Sequence, residues 1–332
     1  MKPTQTDRDL SFDNIRAFLI LCVVFAHLLE IRSPFPGGKD IYRAIYSFHM
    51  PVFLFICGWF ARFDRTKIIF GLLIPYLMLQ TAYVFFQRWL YGSDIALQFV
   101  TPYWVLWFLL ALFLYHILLP LYDVASARSC LLVWCGSFLL SLLAGYDTSV
   151  GYGLTLSRLL VFQPWFLLGF YLRKTDLPEP RLVVKILITA VLVVGVGILC
   201  RSHITNNMLY GSYPYATLQY HVGIRLFLNA LALLWILFFY FVLKPLLNFR
   251  ISFLTALGQN TLPVFLLHGF LVKYIGYRYP HLLEHPAVFL TITLGILLLT
   301  GNTLVGQCFR YLMPDFWIRK WSVRKKERRT VS

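Results

Sequence analysis

The sequence predicts an all-α, polytopic membrane protein of about ten transmembrane helices, and three features of its 332 residues predict it. Hydrophobic residues make up 59% of the chain and charged residues only 13%, against about 45–50% and about 25% in ordinary globular chains. The mean hydropathy is +0.70. Apolar runs recur at lengths near the ~20 residues that a helix needs to cross a ~30 Å hydrocarbon core. Disorder, collagen-like repeats and coiled coils need more polar or more periodic sequences and are excluded by the same composition.

In chain order, spans are expected at about 14–32, 43–62, 68–90, 102–122, 130–145, 158–173, 182–200, 222–243, 261–277 and 287–312. Asp13, Arg16 and Glu30 interrupt the first run, and no small-residue cleavage site follows it, so it is expected to stay in the mature protein. The second opens on SFHMP, which places Pro51 in the early turns, where a missing N–H costs least. The third follows a basic cluster, Arg62, Arg65 and Lys67. The fourth contains His116 facing inward, with Trp104 and Trp107 assigned to packing or to a cavity wall. The fifth and sixth are short, and Gly145 and Tyr146 extend the fifth. The ninth carries Pro263 and then His268, which is expected in its cytoplasmic half. Residues 1–318 form one transmembrane domain and 319–332 a basic tail suited to anionic lipid.

Lys and Arg number 30 against 14 Asp and Glu, a net charge of +16. In a membrane protein such an excess belongs to cytoplasmic loops and headgroups, and nucleic-acid binding is not expected. With the N-terminus inside, nineteen of the basic residues fall in inner segments and six in outer ones. That bias predicts both termini in the cytoplasm. The six cysteines mostly sit in apolar runs, with no C-x-x-C pair, and read as small core residues. The scattered carboxylates and histidines match no metal-ligand spacing, and no Walker loop, dinucleotide fingerprint or G-x-S-x-G elbow occurs. The longest outer loop, about 201–221, is rich in Tyr, Asn, Ser and Gly. It suits either stacking on a sugar or an aromatic belt at the headgroups.

An ionisable side chain inside a span costs roughly 2.5–3.5 kcal/mol, so each one asks for a partner or a task. Arg16 and His27 stand eleven helical steps apart in the first span. Three turns plus about 20° put them on one face, about 16 Å apart along the axis. A guanidinium suits a phosphate or carboxylate, and a neutral imidazole suits proton or acyl transfer. The alternative pairs Arg16 with Asp13 at i,i+3 and makes His27 an interhelical hydrogen-bonding residue. Spacing fits both. The antiparallel second helix should bring His49 to the depth of His27. Arg62, Arg65 and Lys67 suit a polyphosphate or simply the positive-inside bias.

Five stretches in series resemble the acyltransferase-3 family of integral membrane acyltransferases, nearest its fucose 4-O-acetylase-like branch. They are FDNIRAFLILCVVFAH with its R-x10-H spacing, FHMPVFLFICGWF, PYWVLWFLLALFLYHILLPL, SRLLVFQPWFLLGFYLRK and LGQNTLPVFLLHGFL, which run from residue 12 to about 271. The resemblance implies about ten helices and an O-acetyltransferase of the bacterial inner membrane. Its acetyl-CoA would be a cytoplasmic co-substrate, with no tightly bound cofactor, and its acceptor a hydroxyl of an envelope sugar or polysaccharide. It implies His27, Arg16 and His49 as catalytic residues, and Arg16, Arg62, Arg65, Lys67 and His268 as acetyl-CoA-binding ones. Phe70 and Gly71 stand before LLIPY where relatives commonly carry more basic residues. A transporter or flippase of envelope glycans is the alternative for a ten-span chain, although no internal repeat supports it.

Overall fold

The computed structural model describes residues 10–312 except Asp176, so the basic tail lies outside the described residues. Its main helices are α1 (Ser11–Ile31), α2 (Gly38–Trp59), α3 (Lys67–Tyr91), α4 (Trp104–Tyr122), α5 (Ala127–Leu143), α6 (Gly153–Leu172), α7 (Leu182–Arg201), α8 (Val222–Leu246), α9 (Ser252–Gln259), α10 (Thr261–Arg278), α11 (Pro286–Gly301) and α12 (Thr303–Leu312). Among the described residues there is no strand.

Each expected apolar run is helical, but fewer than ten qualify as crossings. Among the described residues, seven helices are long and apolar enough, namely α1, α2, α3, α4, α6, α7 and α8. The pair α11 and α12, bent by 47°, makes an eighth if it is one span. With 17 residues, α5 rises only about 26 Å. In α10, Pro263, His268, Lys273 and Arg278 dilute the apolar residues. The sequence pattern also missed α9, a separate eight-residue helix.

Local chemistry sets the boundaries. α1 stops at Ser33-Pro34, because a residue before proline disfavours helical backbone. Gly37 then takes a left-handed φ of 72° to open α2. That start is earlier than expected, so Pro51 lies in the helix interior instead of its first turns.

α1 runs through the middle of the bundle, packed on α2, α9, α10 and α11, while α7 lies outside against α8. Most of α1, α2 and α6 is buried and most of α7 is exposed, which assigns α7 to the lipid boundary. The start of α1 is pinned by Asn14, whose Nδ2 donates to the Leu247 and Phe249 carbonyls at 2.7 and 2.8 Å.

Side by side, α2 and α6 touch backbone to backbone. A Cβ on Gly58 would lie 1.9 Å from the Phe166 carbonyl oxygen, and one on Gly169 would lie 1.9 Å from that of Phe55. In an apolar solvent, such close approach through small residues is a main source of helix association. Gly58→Ala or Gly169→Ala should therefore destabilise the detergent-solubilised protein by about 1–3 kcal/mol or more, read as a lowered thermal midpoint. Gly136→Ala in the interior of α5, with no atom within 4 Å of the new Cβ, should instead leave stability unchanged or raise it by up to about 1 kcal/mol.

Candidate active site

His27, near the C-terminal end of α1, is 8% exposed. It lines a cavity of about 360 Å³ together with Val23, Glu30, Tyr46, His49, Trp104, Trp107, Arg158 and residues of the loop between α7 and α8. Its Nδ1 lies 3.3 Å from Glu30 Oε2 and 3.4 Å from Tyr46 Oη. A carboxylate only accepts, so this pairing puts the hydrogen on Nδ1 and leaves the Nε2 lone pair for chemistry. One turn of helix separates His27 from Glu30, the spacing at which side chains of one face meet.

Rings fix the imidazole on two other sides. Trp104 meets it edge to face at 4.6 Å, and His268 stacks on it at 5.3 Å with planes 26° apart. The Lys273 ammonium lies 4.4 Å from the centre of the Trp104 ring. The Trp104 backbone has a φ of +39°, a left-handed conformation that costs a non-glycine residue on the order of 1–3 kcal/mol. Gln80 holds the strained segment. Its Nε2 donates to the Gln98 and Thr101 carbonyls at 2.8 and 3.1 Å, and its Oε1 accepts the Tyr103 N–H at 2.8 Å.

Across the cavity, the Arg158 guanidinium lies over Trp107 at 4.8 Å and Tyr152 at 5.1 Å. Its Nε donates to the Tyr210 carbonyl at 3.2 Å, which ties α6 to the outer loop. Ser157 Oγ adds a second tie at 2.7 Å to the Gly211 carbonyl. The loop brings Asn207, Leu209, Tyr210 and Tyr213 to the cavity, so part of its Tyr-rich composition forms a cavity wall. Burial, followed by the Glu30 charge, pushes the Tyr210 phenol up to about 12. It stays protonated and shares a 2.7 Å hydrogen bond with Tyr42 Oη.

The other expected residues divide between the two ends of α1. His49 reaches the cavity, with its Nδ1–H donating to the Ile45 carbonyl at 2.9 Å and its ring 4.6 Å from that of Tyr46. His268 lies apart from the basic loop. It is fully buried against His27, with Nδ1–H donating to the Val264 carbonyl at 2.9 Å and Nε2 unpartnered among the described residues. Arg16 makes the alternative contact, 3.4 Å from Asp13 Oδ1, and lies 4.6 Å from the Phe60 ring centre. Arg62, Arg65 and Lys67 are exposed in the segment that follows Phe60. Along α1 the cavity is lined from Glu30 back to Val23 and not by Arg16.

Sequence reasoning missed Glu30, Tyr46 and Arg158 as site residues. Glu30 carried a signal, since a carboxylate three residues after a buried histidine is placed to pair with it. Arg158 carried only that of a charge within a span, and Tyr46 carried none, because their partners come from other elements.

The cavity makes a chemical prediction that needs no substrate. Diethyl pyrocarbonate followed by peptide mass spectrometry should modify His27 well before His268 or His116, which are 0% and 3% exposed. Equal labelling would mean that His27 is not reached through the cavity.

Comparison with known proteins supplies the family. A model of the acyltransferase-3 family, described as an acyltransferase domain, matches residues 9–306. Two curated relatives are both named nodulation protein NolL. The one from Sinorhizobium fredii (strain NBRC 101917 / NGR234) is 29% identical over 197 residues, which cover 51% of this chain and 50% of the relative. The one from Mesorhizobium japonicum (strain LMG 29417 / CECT 9101 / MAFF 303099) is 29% identical over 125 residues, covering 30% and 33%. The chain thus spans half or less of the length of the relatives it matches. No solved structure matches. With most of its length matched by that model, the chain belongs to the acyltransferase-3 family of membrane proteins.

Proposed function

We propose that this membrane acyltransferase moves an acetyl group from cytoplasmic acetyl-CoA to a hydroxyl of a cell-envelope sugar or polysaccharide. It would act in the bacterial inner membrane with both termini in the cytoplasm. The observation that carries the reading is the His27–Glu30 pair opening into a cavity of about 360 Å³. That size suits the reacting ends of two small groups, within the ~300–1,000 Å³ usual for ligand sites.

In this reading His27 Nε2 takes the proton of the acceptor hydroxyl, with Glu30 stabilising the imidazolium that forms. The acceptor oxygen attacks the thioester carbonyl, the new C–O bond forms as the C–S bond breaks, and the departing CoA sulfur takes the proton back from His27. Arg158, which has no carboxylate partner among the described residues, stands where a guanidinium can stabilise negative charge growing on the carbonyl oxygen. Trp104, His268 and His49 are positioning residues. The aromatic loop over the cavity supports a sugar as acceptor, since Tyr and Trp offer flat faces and hydroxyl or N–H groups together.

Acetyl-CoA is a co-substrate here, with Arg16, Arg62, Arg65 and Lys67 facing its phosphates. The charge bias of the sequence supports the basic end as the cytoplasmic one. Leu19 and Ile20, both fully buried between Arg16 and His27, must part from their neighbours for the thioester arm to reach the imidazole.

Mass spectrometry of surface glycans from a deletion strain should show acetyl groups lost and restored by the wild-type gene. His27→Ala should accumulate in the membrane at normal levels yet lose about 10²-fold or more of the activity, with Glu30→Gln falling between the two. Unchanged glycan acetylation in the His27→Ala strain would end the proposal. Separately, Arg16→Ala should raise the KM for acetyl-CoA more than it lowers kcat. Alanine at Arg62, Arg65 and Lys67 should give smaller, additive losses of donor affinity that fade as salt is raised.

A further inference from the structure

A second polar site lies behind the catalytic cavity. Arg225, in the first turn of α8, is 2% exposed. Its Nη2 donates to Tyr220 Oη, and its guanidinium carbon lies 5.8 Å from the ring centres of both Tyr215 and Tyr220. Nε and Nη1 have no partner among the described residues. No Asp or Glu pairs with it among those residues either. A buried charge held this way is costly, because neither hydrogen bonds to neutral groups nor ring faces cancel it.

Arg225 borders a small cavity of about 30 Å³ that also touches Tyr46, Ser47 and Asn229. The other polar groups of this wall are already engaged. Ser47 Oγ donates to the Ala44 carbonyl at 2.7 Å and accepts the Trp235 indole N–H at 2.9 Å, and Asn229 Nδ2 donates to Ser141 Oγ at 2.9 Å. The unmet valences are therefore the N–H donors of two nitrogens, Nε and Nη1, on a cation. A water needs ~10–15 Å³ of such volume, so the cavity has room for about two water-sized occupants and none for a sugar or a nucleotide.

We propose that this cavity binds a monovalent halide, chloride under physiological conditions, held by an unpartnered N–H of the Arg225 guanidinium. A halide accepts a hydrogen bond from the guanidinium and neutralises its charge in one step, whereas water would accept from it and leave the cation unbalanced. The site touches Tyr46, whose hydroxyl lies 3.4 Å from His27 Nδ1, so its occupant braces one wall of the catalytic cavity. The binding itself does not depend on the acyl-transfer reading, because it can be measured without turnover.

The test compares thermal unfolding of the purified full-length protein in detergent across a titration of chloride or bromide, with gluconate making up constant ionic strength. The wild type should rise by about 2–4 °C and saturate, with bromide replacing chloride. Arg225→Met, which keeps the side-chain length without the charge, should lose the dependence on halide. Bromide crystals should give an anomalous peak beside Arg225, a readout that stands if the variant fails to fold. A wild type indifferent to halide, or a peak absent from that position, would overturn the proposal and leave water as the occupant.

Discussion

The structure turns on a single constraint: an imidazole and a carboxylate on a helix at the centre of an apolar bundle must satisfy each other and still face something polar. Each would cost roughly 2.5–3.5 kcal/mol on a lipid-facing surface. The 3.3 Å contact between His27 and Glu30 answers the first demand. The cavity answers the second, with Tyr46, Arg158 and the outer loop supplying its polar wall. Without the pair, α1 would present only Val23 to the cavity.

The bundle holds that arrangement by packing. Glycines at positions 58 and 169 seat α2 and α6 directly on one another, and both helices continue from there to the cavity, α2 through His49 and Tyr46 and α6 through Phe162 and Arg158. One close contact thus sets two opposite walls. The third wall is strained: Trp104 keeps a left-handed backbone because three hydrogen bonds to Gln80 hold the residues before it. Strain of this kind persists only where the surrounding structure over-determines it. Here it fixes a ring against the imidazole.

Much of this was legible in the sequence, and what was not has physical reasons. The R-x10-H spacing carried real geometry, since two residues on one helix keep their separation whatever surrounds them, and the antiparallel α2 brought His49 to the depth of His27 as its short connection requires. Arg158 stood out only as a charge within a span, because the rings that hold it come from α4 and from the loop before α6. The stacking of His268 on His27 was not legible, because it depends on how α10 packs against α1, and α9, with Gly258 set against the backbone of Asp13, precedes α10 as a separate helix. A run of apolar residues marks a helix well, but length and composition alone single out fewer of the described helices as crossings than the ten expected, because α5 is short and α10 carries Pro263, His268, Lys273 and Arg278.

The most direct measurement of the central claim follows both products at once. Purified protein in nanodiscs would be given acetyl-CoA labelled in the acetyl group, with and without envelope glycan from its host. Free CoA thiol should appear only when glycan is present, matched by an equal amount of label on the sugar. Acetyl-CoA left intact with glycan present, or thiol released without label reaching the sugar, would contradict transfer at His27.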